Sequence, residues 1–550
     1  MTENATVSVG AANFSSDDAA WALGNSFLIL TMQTGFAMLE CGCVSSKNMA
    51  NIMIKNVCDV SIGGIAFWSI GYALIYGSPS NWLCGYGDFF FTESNPSIMG
   101  VRYAHYFFHF SFASTATTIV SGAVAERMKL PAYMVFSFLN VFIYCFPAYW
   151  AWGDKGFLGK MGFFDFAGVC CVHLNGGTSA LVAAFMLGPR VDRFKDVHKY
   201  EMSSPITALA GMFMLMWAWL GFNCGSTFRI EPDYWKICAL VAVTTLNGAI
   251  GGGLAGLAMS MIVKRGKIDI GFTINAVLGG LVSVTGGCPM FTPAEALAIG
   301  AIGSLVANSI SYLLIRFKID DPVGAVPVHF GAALWGTLSV GIFGKNNFLN
   351  MMTYDGLVHS GGFRLLGVNT LGAVIVMTFA GVSTWLVLLA LKLTVGIRVS
   401  REEEAVGADY CEHNIKSYSV QEKLEAILRY LASNSADSND IVEIVRKIDR
   451  AGFKFDNDND MNVGPMTYPT KGNRGIDLTA LAKMELTRTQ NNLKPTTTDK
   501  KFVWRLNDFP NTFTSKFSRK SSKTTVRNVD RDSDSSCDNS YCETNPREKF

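Results

Sequence analysis

Two short segments far apart in the chain carry the same chemistry-bearing residues at the same spacing. Asp165, Gly168, Val172 and His173 recur as Asp321, Gly324, Val328 and His329. A neutral imidazole has one donor and one acceptor nitrogen, so two such rings in contact can pass a hydrogen bond or a proton between them. A carboxylate at a helix start can accept hydrogen bonds from the free backbone N–H groups there. Asp165 suits that capping role, beside a site that favours a cation, better than direct capture. A carboxylate paired tightly with a permeant cation would trap it. Asp321 precedes Pro322, the order of an N-cap followed by a proline in the first turn. It is a structural candidate as much as a functional one.

The elements that must position these residues are apolar. Of 550 residues, 49% are hydrophobic and 16% charged, where an ordinary soluble domain has about a quarter charged. A run of about twenty apolar residues crosses a hydrocarbon core. Such runs stand near 19–40, 57–76, 105–126, 131–151, 163–188, 204–223, 234–262, 270–288, 293–315, 322–343 and 365–391. The expected fold class is an all-α polytopic membrane protein with eleven transmembrane helices. The two Asp–His segments open the fifth and tenth spans. An odd helix number per half inverts one half against the other, giving inverted five-helix repeats plus one extra helix. In transporters so built the site lies near the bilayer midplane. Eight residues of continuous helix rise about 12 Å, which sets each Asp near a membrane face and each His near the centre. Ionisable residues within the spans are few and are functional by default, so His173 and His329 lead the candidates. Gly248, Gly252 and Gly256 have the four-residue spacing of close helix packing.

Basic residues gather on the cytosolic side of membrane proteins. Lys47, Arg127, Arg190, Lys264, Arg316 and Arg398, with their basic neighbours, fall on one side, and fewer fall on the other. The chain then divides into an extracellular N-terminus (1–18), a transmembrane transporter domain (19–397) and a cytosolic C-terminal tail (398–550). Asn4 and Asn13 open glycosylation sequons on the outer side. The tail has helical periodicity at 420–431 and 440–448, and beyond about 486 its composition is that of a disordered segment. The thirteen cysteines are scattered, several within spans, and read as small packing residues. No nucleotide loop, metal-ligand cluster or nucleophile triad stands in the sequence, so neither an enzyme, a cofactor nor a metal is expected. The net charge of +2 gives no electrostatic case for nucleic acid.

The Asp165–Gly168 run with His173, together with Gly221–Ser226, resembles the ammonium transporter (Amt/Mep/Rh) family. Tyr149–Gly153, Phe108–Phe112 and Ala125–Arg127 fit it as well, in the family's order, and the similarity covers about residues 19–414. The resemblance implies a homotrimer of separate pores in the plasma membrane, taking ammonium, ammonia and the analogue methylammonium, and points to an animal member. It implies that Trp152, Phe112 and Ser226 form an outer recruitment site beside Asp165. Phe112 and Phe222 would stack as a gate, Trp219 would support it, and His173 and His329 would line the pore beneath. Trp152 favours the ammonium-transporter branch over an electroneutral Rh-like channel for ammonia or carbon dioxide, since Rh relatives generally lack that residue. A sensor that signals through a cytosolic partner of its tail is the reading from another class. Some positions depart from the family pattern: Val169 replaces a small residue, Asn414 replaces a Gly, and His109 stands where Gln or an aromatic is common, either adding a titratable group near the entrance or simply tolerated there. The tail motif Gly407, Ala408, Asp409 and His413 is otherwise present, with Cys411 where plant relatives carry a phosphorylatable Thr.

Overall fold

The computed structural model describes residues 14–195 and 200–415. The sequons at Asn4 and Asn13, and the tail segments from 420 onward, lie outside the described residues. The regular secondary structure of the described residues is helical, with two isolated bridges beside it. Eleven long helices follow in order: α1 (Ser16–Cys43), α2 (Met49–Tyr76), α3 (Met99–Val124), α4 (Leu130–Trp152), α5 (Val169–Leu187) and α6 (Pro205–Gly225). Then come α7 (Tyr234–Val263), α8 (Ile270–Thr285), α9 (Pro293–Arg316), α10 (Pro327–Phe343) and α11 (Arg364–Thr394). Each corresponds to one apolar run of the sequence. Eight are long and apolar enough to cross a membrane, and α8 and α10 are apolar but shorter. The remaining helix, α3, has the length but is more polar. Its Ser111, Ser114, Thr115, Thr117, Thr118 and Ser121 are all buried in the bundle, so these hydroxyls face neighbouring helices rather than the outside.

Helix starts follow local chemistry. Ser15 and Asp18 form a capping box on α1, and Thr292 and Glu295 another on α9 ahead of Pro293. Ser204 caps α6 before Pro205, and Asp269 caps α8. These side chains satisfy N–H groups that the first turn leaves without intrahelical partners.

The packing repeats. Within α1–α5, α1 touches α2 and α3, α2 touches α3 and α4, and α3 touches α5; the same relations hold within α6–α10. Helices α1 and α6, the first of each set, run antiparallel. Asp18 at the start of α1 accepts from the backbone of Ile230 beyond the end of α6, while Ser204 before α6 donates from its backbone to Gly42 at the end of α1. Glycine lets α7 and α8 cross closely. A methyl at Gly252 would fall 2.5 Å from the Ala276 carbonyl oxygen.

One geometric expectation is corrected. The Asp165–His173 segment is not continuous helix, and neither is Asp321–His329. Gly168 and Gly324 have φ of +91° and +87°, outside the right-handed helix, and helical residues begin only at 169 and 325. Each His is therefore the fifth helical residue, about 6 Å of rise from the helix start rather than about 12 Å from the Asp. Both lie in a π-helical turn, Val169–Leu174 in one copy and Pro327–Ala332 in the other.

The expectation that the spans hold few ionisable groups is also revised. Glu40, Lys55 and Asp59 are buried among α1–α4. Glu40 accepts from Asn56 and Ser121, Asp59 from Tyr133 at 2.8 Å and Ser137 at 2.9 Å, and Lys55 donates to the Met128 carbonyl. Helix α2 begins at Met49, not near 57, which brings Lys55 inside it.

At the end where the basic loops gather, two short helices of the tail, α12 (Arg401–Val406) and α13 (Ala408–His413), pack back on the bundle. Lys129 and Val399 donate to the Ile397 and Arg127 carbonyls in a short antiparallel seam. Asp409 accepts from the backbone of Ala50 and Asn51 at the start of α2.

Candidate functional site

Six of the residues named from sequence form one aromatic column through the bundle. Trp152, at the end of α4, stands edge-on to Phe112 of α3, ring centres 6.3 Å apart. Phe112 and Phe222 of α6 are parallel to within 3° at 4.0 Å. Both are buried, at 2% and 0% exposed. Below them His173 lies 5.4 Å from Phe222 and stacks on Trp219 at 5.0 Å. Trp219 is fixed by donating Nε1 to Thr285 at 2.9 Å. His173 and His329 follow with ring centres 5.2 Å apart, and Phe36 of α1, which sequence reasoning missed, closes the column 6.0 Å beyond His329.

The two histidines meet through their Nδ1 atoms, 3.2 Å apart. Only one of the two nitrogens can hold the shared proton, so the pair as a unit has one donor and one acceptor. Both rings are buried, and His173 Nε2 has no hydrogen-bond partner among the described residues. A polar atom so placed in an apolar column is one a small donor or acceptor could satisfy.

The remaining residues support the column. The Asp165 carboxylate accepts from the backbone N–H groups of Gly168, Val169 and Cys170 at 2.8 Å each and of Cys171 at 3.0 Å. Its own carbonyl accepts from Trp152 Nε1 at 2.8 Å. The capping geometry thus also orients the Trp152 ring. Asp321 does the same for the second copy, accepting from Val323, Gly324 and Val326 at 3.3, 3.0 and 2.7 Å. The Ser226 hydroxyl donates to the Phe222 carbonyl at 2.8 Å, which ties it to α6 and leaves its oxygen lone pairs to accept.

Sequence reasoning treated His109 as a departure and passed over His105, Tyr72, Tyr76 and Phe228. His109 stands 6.2 Å from the Phe112 ring, His105, Tyr76 and Phe228 gather round it, and Tyr72 lies against His105. The Tyr76 hydroxyl is 2.7 Å from His109 Nε2 and 3.2 Å from its Nδ1, and the Tyr72 hydroxyl is 3.1 Å from His105 Nδ1. The i, i+4 spacing of His105 and His109 was a readable signal that both face the same way.

A second charged assembly ties the loops at the basic end. Arg190, after α5, pairs with Asp320, before α10, at 2.8 Å and with Glu126, after α3. Arg127 donates to the Asp320 and Gly188 carbonyls. Burial opposes charge on Asp320, but the hydrogen bonds and charge of Arg190, with Arg127 nearby, outweigh it and hold the carboxyl at about 2. Arg398 carries the tail into this assembly by donating to Glu404, Leu187 and Pro189.

Residues 20–418 match the Ammonium Transporter Family. "Putative ammonium transporter 3" of Caenorhabditis elegans is 40% identical over 418 residues, 74% of this chain and 61% of the relative, so the chain spans less than two thirds of that relative's length. "Ammonium transporter Amt2" of Archaeoglobus fulgidus is 34% identical over 417 residues, 73% of this chain and 88% of the relative. Among solved structures, "Sensor Amt Protein" has a TM-score of 0.67 at 31% identity, covering 72% of this chain and 98% of its own. Mep2 of Candida albicans has a TM-score of 0.65 at 25% identity, covering 71% and 88%. With the match running from the first helix to the docked tail helices, the chain belongs to the ammonium transporter family.

Proposed function

We propose that the protein recruits ammonium at Trp152, Phe112 and Ser226, removes a proton there, and conducts ammonia along the column while the proton follows separately through His173 and His329. The observation that carries this reading is the contact of two buried imidazoles beneath a pair of stacked phenyl rings. An aromatic face attracts a cation, and a serine oxygen accepts a hydrogen bond from it. Beyond the rings the column is apolar, and moving an intact ion into it costs more than its few polar atoms return. Ammonium escapes that cost by shedding a proton. Potassium has none to shed. Selectivity then rests on acidity rather than on size. We further propose a homotrimer in the plasma membrane, with the N-terminus outside and the tail in the cytosol.

Labelled methylammonium uptake recorded together with membrane current tests this. Substrate-evoked inward current accompanying uptake is the expected result. Uptake without current would reduce the protein to an electroneutral ammonia channel, and neither would remove the reading. Likeness to a structure named as a sensor supports a second reading, in which ammonium occupancy is reported through the tail. A cytosolic partner bound by the full-length protein only when ammonium is present, with negligible flux, would favour it.

A further inference from the structure

The end of α8 holds the surroundings of His173 from two sides. Thr285, its last residue, accepts from Trp219 Nε1 at 2.9 Å and donates to the Leu281 carbonyl at 2.8 Å. An indole N–H only donates and a carbonyl only accepts, so the one hydroxyl proton goes to Leu281 and a lone pair to Trp219. Both Thr285 and Trp219 are buried. The next residue, Gly286, accepts from the Phe166 backbone N–H at 2.9 Å, in the turn that leads into α5. A methyl at Gly286 would fall 2.3 Å from one Val169 side-chain carbon, and a methyl at Gly336 of α10 2.7 Å from the other branch. Val169, a departure from the family pattern, thus fits between two glycines, one turn before His173. The imidazole itself is held less directly. Its terminal torsion is broad, so packing neighbours rather than rotamer preference set the ring plane. Three rings adjoin it: Trp219 at 5.0 Å and 17°, His329 at 5.2 Å and 20°, and Phe222 at 5.4 Å and 38°. Trp219 is the nearest and the closest to parallel, and its one polar atom is pinned by Thr285.

We propose that Thr285 is a positioning residue for His173, acting through Trp219; the inference rests on the transport reading above. Helix α8 lies in the second repeat and His173 in the first, so one hydroxyl ties the plane of an imidazole to the opposite repeat. Gly286 holds the His173 backbone against the same place, through Phe166 and Val169. With ring and main chain both referred to the end of α8, His173 Nε2 keeps one direction in the column. Without the hydroxyl, the indole N–H loses its acceptor in a buried site, which is costly enough to turn the ring toward another. The imidazole plane then follows the indole. Among the described residues Thr285 makes no hydrogen bond to Trp152, Phe112 or Ser226. Its loss therefore slows passage through the column and leaves capture at the mouth as it was.

The test measures initial methylammonium uptake against concentration, per transporter at the cell surface. It compares wild type, Thr285→Val, Thr285→Ser, Trp219→Phe and the double variant Trp219→Phe with Thr285→Val. Valine keeps the shape and removes the oxygen. It should lower the maximal rate on the order of 10- to 100-fold, the cost of an ångström-scale misplacement, with the half-saturating concentration unchanged. Serine keeps the oxygen and should restore the rate. Phenylalanine at position 219 removes the same hydrogen bond from the other side and should also be slow, and Thr285→Val should then add nothing to it. A valine variant with the wild-type maximal rate overturns the proposal. So does a serine variant as slow as the valine one, which would mark packing of the methyl group. A double variant slower than Trp219→Phe alone overturns it as well, as does a defect confined to the half-saturating concentration. If the valine variant does not reach the surface, Trp219→Phe decides, and a wild-type maximal rate there overturns the proposal. Wild type without uptake would instead remove the transport reading itself.

Discussion

Replacing Arg190 with methionine tests how the ends of the two repeats are held together. The guanidinium places Nε 2.8 Å and Nη2 3.0 Å from the Asp320 carboxylate and Nη1 on Glu126. All three side chains are at most 3% exposed. Methionine keeps much of the volume but removes the cation. Glu126 retains neutral donors from Ser45 at 2.6 Å and Asn48 at 2.7 Å. Asp320 retains the backbone N–H of residue 190 at 2.9 Å and the more distant Arg193 at 3.4 Å. Breaking a buried ion pair from one side costs about 3–5 kcal/mol. With about 2.1 cal/mol/K of unfolding entropy per residue over roughly 400 residues, the midpoint falls by about 4–6 °C. The assay is the monodisperse fraction of detergent-solubilised protein after heating. Its pH dependence has a definite sign. In the wild type the Asp320 carboxyl sits at about 2, below the ordinary 3.8, so its contribution is complete above the ordinary value and is lost only as pH falls through about 2. Wild-type stability from this pair is therefore level between about pH 7 and 5. In the variant, burial remains while the main opposing cation is gone, so the Asp320 carboxyl moves up and acidification relieves its charge. The deficit should shrink toward pH 5. A midpoint within 1 °C of wild type at neutral pH (roughly 1 kcal/mol by the same entropy), or a deficit that grows on acidification, would refute the reasoning.

Other expectations follow from the same geometry. Replacing both His173 and His329 with leucine should abolish ammonium-evoked current, and an unchanged selective current in voltage-clamped cells would sink the relay. Asp165→Asn gives two of the four N–H donors a poorer or absent acceptor, at about 1–3 kcal/mol for each group left unsatisfied; it should lower heat stability and uptake together, whereas an unaltered melting curve would contradict the cap. Arg398→Ala removes the donor shared by Glu404, Leu187 and Pro189, and limited proteolysis should then cut faster between 398 and 415, with an unchanged rate counting against the anchor. Asn4→Gln with Asn13→Gln should remove a glycosidase-sensitive mobility shift if the N-terminus faces outside, and no shift in the wild type would speak against that orientation.

The legible part of the fold was set by hydropathy. Each of the eleven apolar runs became a helix, since a chain in hydrocarbon must satisfy its backbone hydrogen bonds internally. The polar helix α3 was still found, because the Phe-rich segment that carries it is long enough to span. The column was legible where a repeat or a motif marked it, the Asp–His repeat for His173 and His329 and the motif runs for Phe112 and Phe222. It was not legible where significance came from neighbours. His105 and Tyr76 are unremarkable in sequence and meet only because α2 and α3 pack side by side. Glu40, Lys55 and Asp59 escaped notice because they stand at the edges of apolar runs, where a charge normally reaches water.

The paired Asp–Gly–Val–His spacing, visible from residue types alone, determined that two histidines lie at equivalent positions of two repeats. Periodicity and composition could say that much because side-chain chemistry and burial in lipid are local properties. Only the tertiary structure decided that helix begins after Gly168 and Gly324 and that the imidazoles meet through Nδ1. Those outcomes depend on a left-handed glycine, a π-helical turn and the crossing of helices more than a hundred residues apart. No window of sequence contains all three.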